Sequence, residues 1–330
     1  MFSCITIPIN DFADVWSRLA ARRPRSRLPS RLHSTPASDR SKTAPGPSAT
    51  IPSDNTATAG PEEATVHDTL SVPDYPLTQE QIDQYRRDGF IQLDDVITGP
   101  VLDAMRGAVV NAVAVETNEA PDRPRTGAQA TYEKIFNQKV NLWQRHPEVA
   151  RFTLSAALGR IAMRLEGRPM RLWHDQALFK EPMKGNNRTP WHQDAVYWPH
   201  VDRWHQTTIW IALKDATTHN GCMAFVEGTH SLGPQPAVDL SDPQDLFDYA
   251  PHLRPVKPVP RPLKAGSATF HNGLTFHYAG PNKSDGTREA FAIIYMPDGT
   301  RFDGKPHIVT DEQGFAAGDL LDSELFPRVG

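Results

Sequence analysis

His192 and Asp194 stand two residues apart in the run Trp191-His192-Gln193-Asp194. In an extended segment, residues at that spacing point to the same side, so both side chains can reach one metal ion. Two histidines and one carboxylate on one face of an octahedron leave positions open, the arrangement used by non-haem Fe(II) oxygenases. His277, far downstream, is the best third ligand, with His271 as its rival on the same passage. Arg288 follows His277 by eleven residues. From a following strand its guanidinium can clamp the carboxylate of a co-substrate through two parallel hydrogen bonds. Spacing alone is a weak signal: among 13 histidines, about one chance His-x-Asp is expected at average composition. A second pair, His200 and Asp202, does occur.

The surrounding text carries more. Trp191-His192-Gln193-Asp194, Trp210-Ile211-Ala212-Leu213, Asn220-Gly221-Cys222-Met223, Glu227-Gly228-Thr229-His230, and His277-Tyr278-Ala279-Gly280-Pro281-Asn282 ending at Arg288 follow one another in order. Together they resemble the phytanoyl-CoA dioxygenase family over about Leu77 to Met296. The resemblance implies a double-stranded β-helix (a cupin-like jelly roll, mostly β with flanking helices). It also implies Fe(II), 2-oxoglutarate as co-substrate and O2. His192, Asp194 and His277 are then the iron ligands, and Arg288 the partner of the 2-oxoglutarate C5 carboxylate. Trp210 falls at a family position that packs against the co-substrate; as a bare residue it reads equally as core. Thr269 and Ala279 lie near the same expected site. Gln176 either hydrogen-bonds near the metal or faces solvent. His271 lines the pocket or is structural.

The implied reaction is oxidation of a small molecule, usually hydroxylation, coupled to decarboxylation of 2-oxoglutarate to succinate and CO2. The family's halogenases replace the carboxylate ligand with a small residue, so Asp194 implies no halogenation. Two other classes remain: a cupin-type metalloprotein that does not use 2-oxoglutarate, and a catalytically silent binding module. Arg288 separates them, because a cupin without the keto acid needs no cation there. Tyr197, Trp198 and Lys184 flank the metal segment and are candidates to meet substrate. His200, Asp202, His205, His219 and His230 read as surface or turn residues.

Composition narrows the classes. The chain has 330 residues, a net charge of -4, a hydrophobic fraction of 38% and 30 prolines. No basic field argues for nucleic acid, and no basic patch announces a CoA thioester, which favours a small molecule without CoA. Cys4 and Cys222 are the only cysteines, so there is no disulfide framework and the expected compartment is reducing. Cys222 reads as a small buried hydrophobe. No apolar run approaches the roughly 18 residues of a membrane span. No feature specifies an oligomeric state.

Residues 1–72 are a different polymer from the rest. Ser, Thr, Pro and Ala dominate from Ser30 to Ala64, and such a segment buries too little surface to offset its ordering entropy. It reads as a disordered tail or targeting leader. Arg18, Arg22, Arg23, Arg25, Arg27 and Arg31 would suit a transit peptide, while Asp11 and Asp14 argue against one. Cytoplasm is the default location, with mitochondrion or another organelle as the alternative.

The oxygenase domain spans 73–330. Thr78 with Gln81 makes a capping box, and Leu77 with Ile82 its hydrophobic staple, for a helix that ends at Gly89. Phe90–Leu93 reads as a strand. Pro100 opens a second helix. Pro147 opens a third, closed by Gly167, with Leu154, Leu158, Ile161 and Leu165 as its buried stripe. The helices are expected outside a sheet. Strands follow at Leu172–Lys180 (Gln176 and Lys180 on one face, Trp173, Ala177 and Phe179 on the other), around His192/Asp194, and at Thr207–Leu213, Met223–Val226, Ser267–Phe270 and Phe291–Met296. Short strands with no regular helix between them argue for an antiparallel barrel or sandwich. Glu119–Gly127 and the proline-rich Pro234–Pro262 read as loops, the latter a lid or substrate insertion.

Overall fold

A computed structural model describes residues 71–119, 138–182, 188–238, 250–253 and 257–330, all within one unit of the chain, 63–330. The tail expected over residues 1–72 lies outside them save its last two residues, as do the loop beyond Glu119 and Lys184. Among the described residues no helix is long and apolar enough to cross a membrane.

The capping box forms as expected. Thr78 Oγ1 accepts from the Gln81 backbone, and the Gln81 side chain accepts from the Thr78 backbone. Helix α1 (Gln79–Asp88) ends at Gly89, whose φ of +81° is one a side chain would strain. A Cβ there would also strike the His230 ring and Thr275. His230 is thereby the structural turn residue expected. Strand β1 (Phe90–Leu93) and helix α2 (Gly99–Glu119) follow.

The third helix is broken. It splits into α3 (Pro147–Thr153) and α4 (Ala156–Glu166), because the Ser155 side chain caps a new start by accepting from the Leu158 N–H. Val149 and Phe152 supply the buried face of α3, Leu158, Ile161 and Leu165 that of α4. Leu154, at the break, is rotated out and exposed, contrary to its expected place in the stripe.

The remaining strands are β2 (Gln138–Val140), β3 (Met170–Lys180), β4 (Thr189–His192), β5 (Thr207–Ala212), β6 (Met223–Phe225), β7 (Val259–Arg261), β8 (Ala268–Asn272), β9 (His277–Ala279), β10 (Arg288–Pro297) and β11 (Arg328–Val329). They form two antiparallel sheets. The larger runs β1-β8-β5-β10-β3-β11, with β2 also on β3; the smaller runs β4-β9-β6-β7. This is the mostly β jelly roll expected. Strand β7 lies inside the stretch read as an insertion. Among the described residues it pairs only with β6 at the end of its sheet, and such an edge tolerates Pro260.

Alternation sorts the large sheet into two faces. Ile209, Ile211, Phe291, Ile293, Leu172 and Ala177 point outward and join Leu158, Ile161, Val109 and Phe152 of the helices in one cluster. Trp210, Ala212, Ala290, Ala292 and Ile294 point inward and meet Met223, Phe225 and Ala279 of the small sheet. Trp173 departs from its expected side. The β3–β10 register slips between Ile294 and Tyr295, leaving Trp173 unpaired in a bulge. The bulge turns it into the inner cluster, away from Ala177 and Phe179.

Candidate functional site

The metal segment sits where the two sheets face each other. His192 ends β4 and pairs directly with His277, the first residue of β9. Gln193 is still extended, but the chain then turns, and Asp194 opens a single 3-10 turn rather than continuing the strand. Gly273 makes that turn possible. Its carbonyl accepts from Ala195 N–H at 2.9 Å, and a Cβ on Gly273 would lie 2.9 Å from the Ala195 Cβ.

The three side chains converge. One ligand atom of each of His192, Asp194 and His277 lies within 4.8 Å of the others. His192 Nδ1 donates to Pro190 O at 2.8 Å and His277 Nδ1 to Thr275 O at 2.9 Å. Both rings therefore turn Nε2 to Asp194 Oδ1, at 3.3 and 3.5 Å. The other carboxylate oxygen, Oδ2, is held from behind by Thr208 Oγ1 at 3.1 Å and His271 Nε2 at 3.3 Å. Such outer contacts fix the tautomer and angle of metal ligands. Burial alone would raise the Asp194 carboxyl; His277, His192 and His271 around it hold it well below the ordinary carboxylate range. Burial, then His277, lowers His192, which keeps its imidazole neutral and able to ligate.

The donor set fits a divalent iron: two imidazole Nε2 atoms and a carboxylate oxygen that converge on one point. His271 lines the site as expected, through Asp194. Thr208 was missed, although it precedes Trp210 by two residues and so shares its face.

The next inward row of the sheet is Thr269, Trp210, Ala292 and Gln176, each directly opposite the next. Gln176 is therefore on the inner face, not the solvent side. Arg288 stands at the start of β10, 4% exposed, with its guanidinium 5.0 Å from the Trp210 ring centre. Its Nη1 donates to Leu178 O at 3.0 Å. Arg288 Nε, Thr269 Oγ1 and Gln176 Oε1 are buried without a hydrogen-bond partner. Among the described residues no carboxylate pairs with Arg288, and burial lowers its pKa to about 10. A buried cation whose Nε is unpaired, on the same inner face as the unpaired Thr269 hydroxyl, fits the distal carboxylate of a keto acid.

Lys180, directly opposite Arg288, adds a buried amine beside the guanidinium. Burial, with repulsion from Arg288, lowers it to about 6. Its Nζ donates to Gly280 O at 2.8 Å, Ala279 O at 3.2 Å and Thr189 Oγ1 at 3.3 Å, tying β3 to the strands that carry the two histidines.

The other sequence candidates scatter. Asp202 and His219 are exposed and His205 is half-buried. His200 is wholly buried, contrary to the expected surface turn. It folds back to bridge Phe302, and Trp173 meets its ring edge-on at 4.4 Å. Tyr197 is half-buried and Trp198 buried beside the metal turn. Cys222 is free and buried, as expected.

The sequence profile of phytanoyl-CoA dioxygenases matches residues 85–290. The chain belongs to the phytanoyl-CoA dioxygenase family. Within that family, phytanoyl-CoA dioxygenase domain-containing protein 1 of Danio rerio is 23% identical over 266 residues, 67% of this chain and 90% of that one. Among solved structures, the non-haem α-ketoglutarate-dependent carbocyclase SnoK from nogalamycin biosynthesis is 29% identical with a TM-score of 0.65, covering 77% of this chain and 97% of that one. The epimerase SnoN, solved with Fe3+, α-ketoglutarate and nogalamycin RO, is 25% identical with a TM-score of 0.60, covering 76% and 97%. Family and neighbours support an iron- and 2-oxoglutarate-dependent oxygenase.

Proposed function

We propose that this protein is an Fe(II)- and 2-oxoglutarate-dependent dioxygenase that hydroxylates, or otherwise oxidises, a small molecule. The observation that carries the reading is the pairing of two features on the two facing sheets, Arg288 following His277 by eleven residues. One is the His192/Asp194/His277 cluster. The other is a buried Arg288 that has no carboxylate partner among the described residues. A metalloprotein that did without the keto acid would gain nothing from a desolvated guanidinium at that point.

In this reading His192, Asp194 and His277 hold the iron, and Thr208 and His271 keep Asp194 aimed at it. Arg288 binds the distal carboxylate of 2-oxoglutarate, with the Trp210 ring 5.0 Å from the guanidinium to help hold it. Thr269 and Gln176, on the same row as Trp210, offer hydrogen bonds to the co-substrate. When bound, the iron with 2-oxoglutarate and O2 supplies the oxidising power, releasing succinate and CO2. The inward aromatic residues exclude water, so that oxidation is directed at the substrate. Asp194 occupies the carboxylate position, which favours hydroxylation or a related oxidation over halogenation. A small molecule free of CoA, acted on in the cytoplasm, suits the sequence best.

Succinate release tests the reading. The purified protein with Fe(II), 2-oxoglutarate and O2 is expected to form succinate slowly even without its substrate. Asp194→Ala should reduce this to the metal-free background. Succinate formation that is equal in Asp194→Ala and wild type would overturn the assignment.

A further inference from the structure

Beyond the metal row the inner face carries a second group of imidazoles that the oxidation itself does not use. His174 lies on β3 in the same cross-strand row as Ile294, Thr208 and His271, so it faces inward along with the groups that hold Asp194. His307 approaches it from the segment between β10 and β11. That segment contributes Phe302, Val309, Leu321 and Phe326 to the inner cluster, with half-buried Phe315 and Leu325 packed against it. The two rings stand 6.2 Å apart between centres, with no hydrogen bond joining them. Trp198, from the metal turn, meets His174 edge-on at 6.4 Å, and Trp173 lies 5.2 Å from His307.

The partners of the two rings differ, and this fixes opposite tautomers. His174 Nδ1 donates to Asp175 O at 3.3 Å, leaving Nε2 as a bare acceptor. His307 Nδ1 accepts from the Val309 N–H at 3.2 Å, which puts the proton on Nε2 as a donor. A hydroxyl group both donates and accepts, so it can satisfy both. A carboxylate or phosphate offers nothing to the acceptor.

We propose that His174 and His307 form the substrate-recognition pair of this site, gripping the hydroxyl group of an uncharged, ring-bearing molecule whose carbon skeleton lies against Trp198. The proposal rests on the oxidation assigned above and adds the class of substrate to it. Both imidazoles stay neutral across the physiological range: burial, then repulsion from His307, takes His174 to about 3, and burial takes His307 to about 4. Asp311 accepts from the His307 backbone N–H, and Arg203 Nη2 donates to Asp303 at 2.8 Å while its Nε stays buried without a partner.

The test uses the full-length protein, held anaerobically with Fe(II) and 2-oxoglutarate, and three probes: 1-naphthol, naphthalene and 1-naphthoate. Tryptophan quenching and calorimetry read their affinities. 1-Naphthol should bind roughly tenfold more tightly than naphthalene, the worth of one well-made neutral hydrogen bond in a dry site, and 1-naphthoate should bind least. His174→Phe and His307→Phe should each erase the preference for naphthol while naphthalene affinity is retained. His307→Gln, which keeps a donor, should restore most of it and guards against a folding defect in the phenylalanine variant. Equal binding of naphthol and naphthalene, preference for naphthoate, failure of all three to bind, or an unchanged preference in both phenylalanine variants would overturn the proposal. The visible band of the iron–keto-acid chelate is recorded in the same samples. Its absence from wild type would count against the oxygenase assignment, whereas its persistence in the variants separates this pair from the metal ligands.

Discussion

At the scale of single residues, the candidate centre depends on how Asp194 is held. One carboxylate oxygen faces both histidine Nε2 atoms while the other is taken by Thr208 and His271. Thr208→Val keeps the shape of the side chain and removes the donor. It is expected to weaken metal binding by about 10- to 100-fold, the usual cost of losing an outer contact to a ligand. Competition against a metal-sensitive dye would read that change, and an unaltered affinity would show that His271 alone suffices. Gly273 is the other exacting position, since a Cβ there would press on Ala195 next to the ligand.

Among the elements, β3 does the most positioning. It pairs with β10, β2 and β11, and it carries Gln176, Lys180 and the buried Asp175. Asp175 ties the strand to the turn at Leu142–Gln144, accepting from Leu142 N–H at 2.7 Å, Trp143 N–H at 3.0 Å and Thr153 Oγ1 at 2.7 Å. Asp175→Ala would leave buried donors unpaired and should cost about 2–5 kcal/mol in a urea melt. Lys180 and Asn282 hold the strand end to the loop after β9. These ties explain why an arginine at the start of β10 can remain buried.

What the sequence made legible follows from locality. The His-x-Asp spacing, the capping box and the alternation in β5 and β10 are set by neighbouring residues, and each appears in the structure. Asp194 leaving the strand was not legible, because that turn depends on Gly273 from 79 residues away in the chain. The bulge at Trp173, the new cap at Ser155 and the edge strand around Pro260 likewise arise from tertiary pairing. His174, His200 and His307 are distant in sequence, and no spacing announces that they meet.

For the whole molecule, the histidines set the response to acid. Burial lowers His174 to about 3 and His307 to about 4, and it also lowers His192, His200 and His230. A histidine that titrates lower in the fold binds fewer protons there than in the unfolded chain. Its stabilisation is therefore complete above the unfolded value near 6.5 and is lost as pH falls towards 4. Asp175 works in the opposite direction. Burial raises it to about 7, so its share is complete below about 4 and is lost as pH rises to 7. With five groups against one, the melting temperature should fall steeply between pH 6.5 and 4. His200→Phe, which fills the same place against Trp173 without a titrating ring, should flatten the slope. A melting temperature that rises on acidification would contradict these burial effects.

The central claim is that one site holds iron through His192, Asp194 and His277 and a keto acid through Arg288. Its most direct test is an anaerobic titration of the metal-free protein with Fe(II) and then 2-oxoglutarate, following the weak visible absorption of the chelate. The band should form in wild type and be absent from Asp194→Ala. In Arg288→Ala it should need roughly a hundredfold more 2-oxoglutarate, as expected for losing a charge-assisted bidentate contact. Iron binding without any band at saturating 2-oxoglutarate, or a band indifferent to Arg288→Ala, would contradict it.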